Sequence, residues 1–211
     1  MTEIVPPSAE EVEELIATRR DIHRHPELAY DEQRTARLAA ERLRALGYEA
    51  TEGVGRTGVV ALLEGDRPGP CVMLRADMDA LPVEEANDVP YRSVHEGRMH
   101  ACGHDCHVAI ALGSARVLKR LGRPACGSVK LVFQPAEEGG NGALAMIEDG
   151  VLAEPAVDAV FGLHVWNQLD VGKVAVVDGP LMGAVDRFRI RVIGQGGHGA
   201  IPQQSRDPVL A

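Results

Sequence analysis

Four short segments hold most of the residues in this chain that are equipped for chemistry. The densest is Met99-His100-Ala101-Cys102-Gly103-His104-Asp105-Cys106-His107, with three His, two Cys and one Asp in nine residues. Cys and His are good ligands for zinc and similar borderline metals. Cys102 and His104 are two apart, so an extended backbone lets both face one ion, and Gly103 lets the chain turn between them. Asp105 is placed to orient an imidazole from behind. The competing reading is a surface loop of clustered polar residues.

The second segment, Gln134-Pro135-Ala136-Glu137-Glu138-Gly139-Gly140, sets two adjacent carboxylates just past an apolar run. Neighbouring side chains on extended backbone point in different directions. One can bind a metal while the other faces a water, which is the division of labour that metal-assisted hydrolysis needs. Alone, the pair reads equally as a solvated turn. His164 closes the apolar run Val157 to Leu163, where a lone histidine is more often a satisfied core residue than a ligand. Asp77 and Asp79 follow the run Cys71 to Leu74, and either orient site groups or cap a turn.

The positions of these segments make the case. Each follows an expected strand or precedes an expected helix, and in open α/β sheets sites gather at the carboxyl ends of the strands. Cys102, His104, Glu138 and His164 are therefore expected on one sheet edge. Their mix of soft, borderline and hard donors suits Zn, Mn, Co or Ni rather than Ca or Mg.

The elements that must position them are legible in the periodicity. Glu10 to His23 and Asp31 to Leu46 carry apolar residues at helical spacing, and Gly47 stops the second. Val59 to Leu63, Cys71 to Leu74, Val129 to Phe133, Val157 to Leu163 and Val174 to Val177 read as strands. Val108 to Leu121 and Ala143 to Glu148 read as helices. This alternation predicts an α/β domain with a mainly parallel or mixed sheet. After Gly183 the run Arg187 to Ile193 alternates charged and apolar residues, as a strand with one solvated face does. Residues 1–184 are thus expected to form the metal-binding catalytic domain, and 185–211 to begin a second, lid or dimerisation domain.

Composition narrows the class. The chain has 211 residues, 45% apolar but only 3% aromatic, so the core must be built from Ala, Val, Leu and Ile. The net charge of −9 and the lack of a basic cluster give no support to nucleic-acid binding. No apolar run approaches the ~20 residues that span a bilayer. The N-terminus lacks a basic region followed by an apolar one, and the four cysteines suit a reducing compartment, so a cytoplasmic protein is expected.

The strings IHRHPELAYDEQRTA (Ile22 to Ala36), LRADMDALP, MHACGHDCH, VFQPAEEGGNGA and FGLHVWN, in this order, resemble the amidohydrolase branch of the aminoacylase/carboxypeptidase dinuclear metallopeptidase family. That branch includes hippurate hydrolases, indoleacetyl-amino acid hydrolases and N-acetyldiaminopimelate deacetylases. The resemblance implies a zinc-exopeptidase-like three-layer α/β/α catalytic domain that binds two divalent transition-metal ions and cleaves N-acyl amino acids. It implies Cys102, His104, Glu138 and His164 as ligands and Glu137 as general base; the residue positions themselves put Asp79 and Asp105 behind them. It also implies that His198, in the Gly194 to Pro202 lid motif, contacts substrate, across a homodimer.

Two departures accompany it. Gln203 follows Pro202 where the family usually has His, and Asp77 stands where the wider family has a histidine ligand. Family members run to roughly twice this length and place a further histidine ligand near the C-terminus, so this chain is expected to be a fragment or a truncated frame. His100 and His107 are the nearest candidates to replace that ligand. The rival to an enzyme is an inactive metal-binding or interaction protein on the same fold.

Overall fold

Helix α1, Ala9–Arg24, starts where Ser8 and Glu11 cap each other: the Ser8 Oγ accepts the Glu11 N–H, and the Glu11 carboxylate accepts the Ser8 N–H at 2.7 Å. Such a cap contributes about 1 kcal/mol. Helix α2, Gln33–Ala45, buries Ala36, Ala39, Ala40 and Leu43, the small stripe its periodicity calls for. The computed structural model describes residues 6–186 and 188–210 of the chain. The remaining elements are β1 (Glu49–Val54), β2 (Gly58–Glu64), β3 (Cys71–Asp77), α3 (His104–Leu121), β4 (Ser128–Gln134), α4 (Gly142–Glu148) and β5 (Val157–Gly162).

The five strands form one mixed sheet in the order β1-β2-β4-β3-β5. β1 and β2 are antiparallel, as are β2 and β4, whereas β3 runs parallel to both β4 and β5. Alternate residues face opposite sides. Val59, Ala61, Leu63, Ala76, Leu131 and Phe133 pack with Ile22, Leu43, Val108 and Leu112 of the first three helices. Val60, Met73 and Val132 pack on the other face with Met146 of α4 and Val151. The result is the expected three-layer α/β/α arrangement. Besides Ala, Val, Leu and Ile, the core uses Phe133, Tyr48, Met78 and Met146.

Two elements begin or exist where the sequence pattern gave no sign. β1 is polar and largely exposed, and is defined by its pairing to β2. α3 begins at His104 rather than Val108, directly on the ligand-rich segment.

Two expected strands do not form. Val174–Val177 and residues 188–193 lack strand structure, and Arg187 lies outside the described residues. Val174 and Val176 are 89% and 90% exposed. A strand exists by pairing and by burying one face, and these segments do neither among the described residues. The chain divides into two compact units between Trp166 and Asn167, earlier than the change of pattern near Ala184. In the second unit, Gln195 bridges Arg206 and a 3-10 turn spans Pro202–Gln204. Among the described residues no helix is long and apolar enough to cross a membrane.

A buried ionic cluster ties α1 to α3. His23 Nδ1 lies 2.8 Å from Asp105 Oδ2 and its Nε2 3.1 Å from Glu85 Oε1, while Arg19 Nε is 2.7 Å from the same Asp105 oxygen. The Asp105 hydrogen bond raises the His23 pKa above its ordinary 6.5, against the opposing effect of burial, and Glu85 adds to the rise. A raised pKa means that the folded state holds a proton which the unfolded state releases first. The stability His23 confers is therefore complete below pH 6.5 and is lost as pH rises through the higher folded-state value. His23→Gln should cost about 3 kcal/mol at acid-to-neutral pH, because it removes the cation held between two buried carboxylates, and clearly less at alkaline pH. Denaturant melts across that range check this; an equal cost throughout would mean that His23 is not held as the cation.

Candidate metal centre

Three parallel strands end at the same edge of the sheet, and each delivers one part of the site. β3 leads to Asp77 and Asp79, β4 to Glu137 and Glu138, and β5 to His164. The amino end of α3 adds Cys102 and His104. Gly103 makes the junction possible: its φ of 90° is left-handed, and a Cβ there would collide with Val165.

Each candidate ligand histidine is fixed by its second nitrogen. His104 is fully buried, and its Nδ1–H donates to the Asp79 carbonyl at 2.8 Å. Its Nε2 has no hydrogen-bond partner. Around that nitrogen stand Asp77 Oδ2 at 3.7 Å, Glu137 Oε2 at 3.8 Å and Glu138 Oε1 at 4.0 Å. His164 donates from Nδ1 to the Val165 carbonyl at 2.7 Å, which turns Nε2 toward Cys102 Sγ at 3.3 Å. Both imidazoles thus carry the tautomer that offers Nε2 as a lone pair, the usual arrangement behind metal-ligating histidines.

Three triads of candidate donors share His104, one of them with Asp77 and His107. In Cys102, His104 and His164, and again in His104, Glu137 and Glu138, one donor atom from each residue lies within 4.8 Å of the others. The orphaned, buried His104 Nε2 facing carboxylates is the observation that fits a bound cation.

Charge agrees with that fit. Burial would lower the His104 pKa, but the Asp79 hydrogen bond and the Asp77, Asp79 and Glu137 charges outweigh it and raise the value. Burial, with the neighbouring Glu138, pushes the Cys102 thiol up to about 12. Burial also raises the Glu137 carboxyl, partly offset by His104. Burial opposes ionisation of Asp77 too, yet the His107 hydrogen bond and the His104 and Arg75 charges hold it down at about 2. Of the adjacent pair, the Glu137 side chain is 42% exposed and that of Glu138 24%, so Glu137 is the more open to water.

The remaining candidates fall as follows. Asp79 accepts the Glu137 N–H at 3.0 Å and the Glu138 N–H at 2.9 Å, so it orients both the imidazole and the acidic turn. Asp105 orients an imidazole, but it is that of His23 rather than a ligand. His107 has both nitrogens engaged, with Asp77 Oδ1 at 2.5 Å and the Val165 N–H at 3.0 Å, which makes it a strut. His100 is buried without a hydrogen-bond partner among the described residues, and burial lowers its pKa to about 4. His198 belongs to the second unit, where its Nδ1 accepts the Ala200 N–H. Periodicity gave no sign of the roles of Asp77 and His107; the only signal for His107 is its position three residues beyond His104 on one helix.

An α/β sheet with a histidine-centred cluster of one thiol and several carboxylates at its strand ends defines a class of candidate metal-dependent hydrolases. The sequence profile of peptidase family M20/M25/M40 matches residues 73–208, and the chain belongs to that family. It is 50% identical over 199 residues to "Thermostable carboxypeptidase 2" of Saccharolobus solfataricus, covering 93% of this chain and 50% of that protein. It is 45% identical over 197 residues to "N-acyl-L-amino acid amidohydrolase" of Geobacillus stearothermophilus, covering 93% and 53%. Among solved structures, the YXEP protein of Bacillus subtilis, described as a dinuclear metal binding peptidase from the M20 family, superposes with a TM-score of 0.77. It is 40% identical, with 82% of this chain and 49% of that chain covered. The chain spans about half the length of the curated relatives it matches.

The thiol at about 12 makes metal loading proton-linked. Binding through the Cys102 thiolate must release its proton, so apparent affinity should rise roughly tenfold per pH unit above neutrality. Cys102→Ser should weaken retention at least ~100-fold and flatten that slope, because a hydroxyl is a far poorer ligand. Competition titrations against a chelator at two pH values measure both; equal affinity in the two proteins would remove Cys102 from the ligand set.

Proposed function

We propose that this chain is the metal-binding half of a hydrolase that cleaves the amide bond of N-acyl amino acids. The observation that carries the reading is the unpartnered His104 Nε2, buried at the junction of two ligand triads with Glu137 beside it. Cys102, His104, Glu138 and His164 would hold divalent transition metal, Zn or Mn among the candidates, in a dinuclear site like that named for the Bacillus subtilis structure. When bound, the metal supplies Lewis acidity to water and to the acyl carbonyl.

The chain's own residues do the rest. Glu137, raised in pKa and open to solvent, takes the proton of the attacking water and returns it to the departing amine. Asp79 holds the backbone of the acidic turn and the His104 ring in register. The cluster's strand-end position leaves its outer side to substrate. In this reading residues 1–184 form the catalytic domain, 185–211 begin the lid, and His198 reaches substrate within a homodimer.

A second reading has support from the Saccharolobus relative, whose name is a carboxypeptidase. The two differ in what lies on the acyl side of the scissile bond, a simple acyl group or a peptide. A panel of N-acetyl and N-benzoyl amino acids set against dipeptides, each at matched metal, separates them by relative kcat/KM.

The central test is the glutamate pair. Glu137→Gln should keep metal and lose at least ~100-fold in turnover, the usual scale for a missing general base. Glu138→Gln should lose metal. Comparable rates and metal content in both variants would overturn the assignment, and metal binding without turnover on any amide would favour a non-catalytic binding protein.

A further inference from the structure

Three consecutive backbone amides in the acidic turn point into buried carboxylates. Those of Glu137 and Glu138 reach Asp79; that of Ala136 reaches Glu32 Oε1 at 2.8 Å. Glu32 comes from a distant part of the chain, immediately before α2, and its side chain makes no cap for that helix. It is fully buried. Its second oxygen accepts the Thr57 hydroxyl at 2.6 Å, just ahead of β2. Both oxygens are thus committed, one to the turn and one to the sheet.

Ala136 has reason to need this anchor. Its φ is 49°, the left-handed region that a residue with a Cβ avoids. That conformation decides how the backbone leaves Pro135 and enters Glu137. The turn is closed further on by the Gly142 N–H, which donates to the Ala136 carbonyl at 3.1 Å. The neighbourhood of Glu32 holds the same loop again, for the Tyr30 hydroxyl donates to the Gly140 carbonyl at 2.7 Å. The Ala80 N–H also donates to the Glu27 carbonyl at 2.8 Å, so residues 27–32 brace the turns after both β3 and β4.

We infer that Glu32 is a positioning residue, whose buried carboxylate holds Ala136 in the left-handed conformation and so sets the directions in which Glu137 and Glu138 leave the backbone. The inference rests on the reading of Glu138 as a ligand and Glu137 as the base. Its chemistry is specific. Glutamine keeps a carbonyl oxygen for the Ala136 N–H and offers its amide N–H to Thr57, whose hydroxyl accepts as well as donates. Alanine leaves the Ala136 N–H and the Thr57 hydroxyl without partners. Burial raises the Glu32 carboxyl pKa against the pull of these hydrogen bonds, which agrees with a site that tolerates a neutral isostere. The bland alternative is that Glu32 only ties α2 to the sheet through Thr57.

The test uses the 211-residue chain in five forms: unchanged, Glu32→Ala, Glu32→Gln, Thr57→Val and Glu138→Gln. Amide hydrogen exchange over residues 134–141 is read without metal, and Co2+ affinity from the ligand-field absorption. Glu32→Ala should speed exchange in that segment, and weaken Co2+, at least ~10-fold each, the scale of one lost buried hydrogen bond. Glu32→Gln should restore both to within ~3-fold, and Thr57→Val should leave the turn protected. Should Glu32→Ala not fold, Glu32→Asp, which draws the carboxylate back by one methylene, should show the same local pattern.

Unchanged exchange and affinity in the Glu32 variants would overturn the inference. So would faster exchange spread evenly over the chain, or an equal effect from Thr57→Val. If Glu32 and Thr57 behave as expected in exchange while Glu138→Gln keeps Co2+, the positioning role stands and the ligand assignment falls.

Discussion

Asp79 is wholly buried, and three of its polar contacts join the two halves of the site. Its carbonyl accepts the His104 Nδ1–H, and its carboxylate accepts the amides of Glu137 and Glu138. One residue therefore decides which imidazole nitrogen is free and where the acidic turn begins. Hydrogen bonds to a charged group contribute about 1.5–3 kcal/mol each, and no solvent at this depth replaces one that is lost. Burial would raise the Asp79 pKa, but the His104 ring beside its carboxylate and the two turn amides outweigh it and lower the value. The arrangement depends in turn on sheet register. Asp77 lies opposite Gln134 in the parallel β3–β4 pair, so the two chains leave the sheet side by side. A slip of one residue would exchange the faces and separate Asp79 from the glutamates.

The candidate ligands were legible because their residue types are uncommon and dense. Cys102, His104, Glu138 and His164 could be picked out before any fold was known, and the structure brings them to one sheet edge in two triads around His104. The helices α1 and α2 and the strands β2 to β4 were legible for a different reason, since each buries part of a regular stripe or run, whereas β5 was legible from its apolar composition alone and is largely exposed. β1 was not, because an edge strand with Glu49, Thr51 and Glu52 facing outward has no hydrophobic signature; its existence lies in the partner strand. The converse failure has the same root. Val174–Val177 has the composition of a strand, yet composition cannot supply a neighbour to pair with.

What the sequence could not show is partner choice over long distances. Asp105 looked ready to orient a ligand histidine, but α3 turns it toward α1, where His23 and Arg19 claim it. Starting α3 at Val108 hid a related fact. Once the helix begins at His104, His107 falls on the same face and near Asp77, and its role as a strut follows from helical phase. Glu32 gave no local signal at all. One of two adjacent acids in a polar stretch resembles a solvated helix start, and only the folded chain shows it buried against Ala136.

The electrostatics of the cluster explain why these supports are so elaborate. Asp77, Asp79, Glu137 and Glu138 crowd around one buried imidazole, an arrangement that like charges oppose unless a cation lies among them. Proton affinity rises in the same place: neighbouring carboxylates outweigh burial to raise the His104 pKa, burial raises that of Glu137, and burial with Glu138 pushes the Cys102 thiol up to about 12. Protons bind each group singly and need no common geometry. A metal ion must be met by several donors at once, so the backbone has to hold them in place while they repel one another. The carboxylates of Asp79 and Glu32 meet that requirement from beneath, by gripping amides rather than side chains. On the proposed reading, Glu137 and Glu138 thereby keep their own carboxylates for the site, one to bind and the other to move a proton.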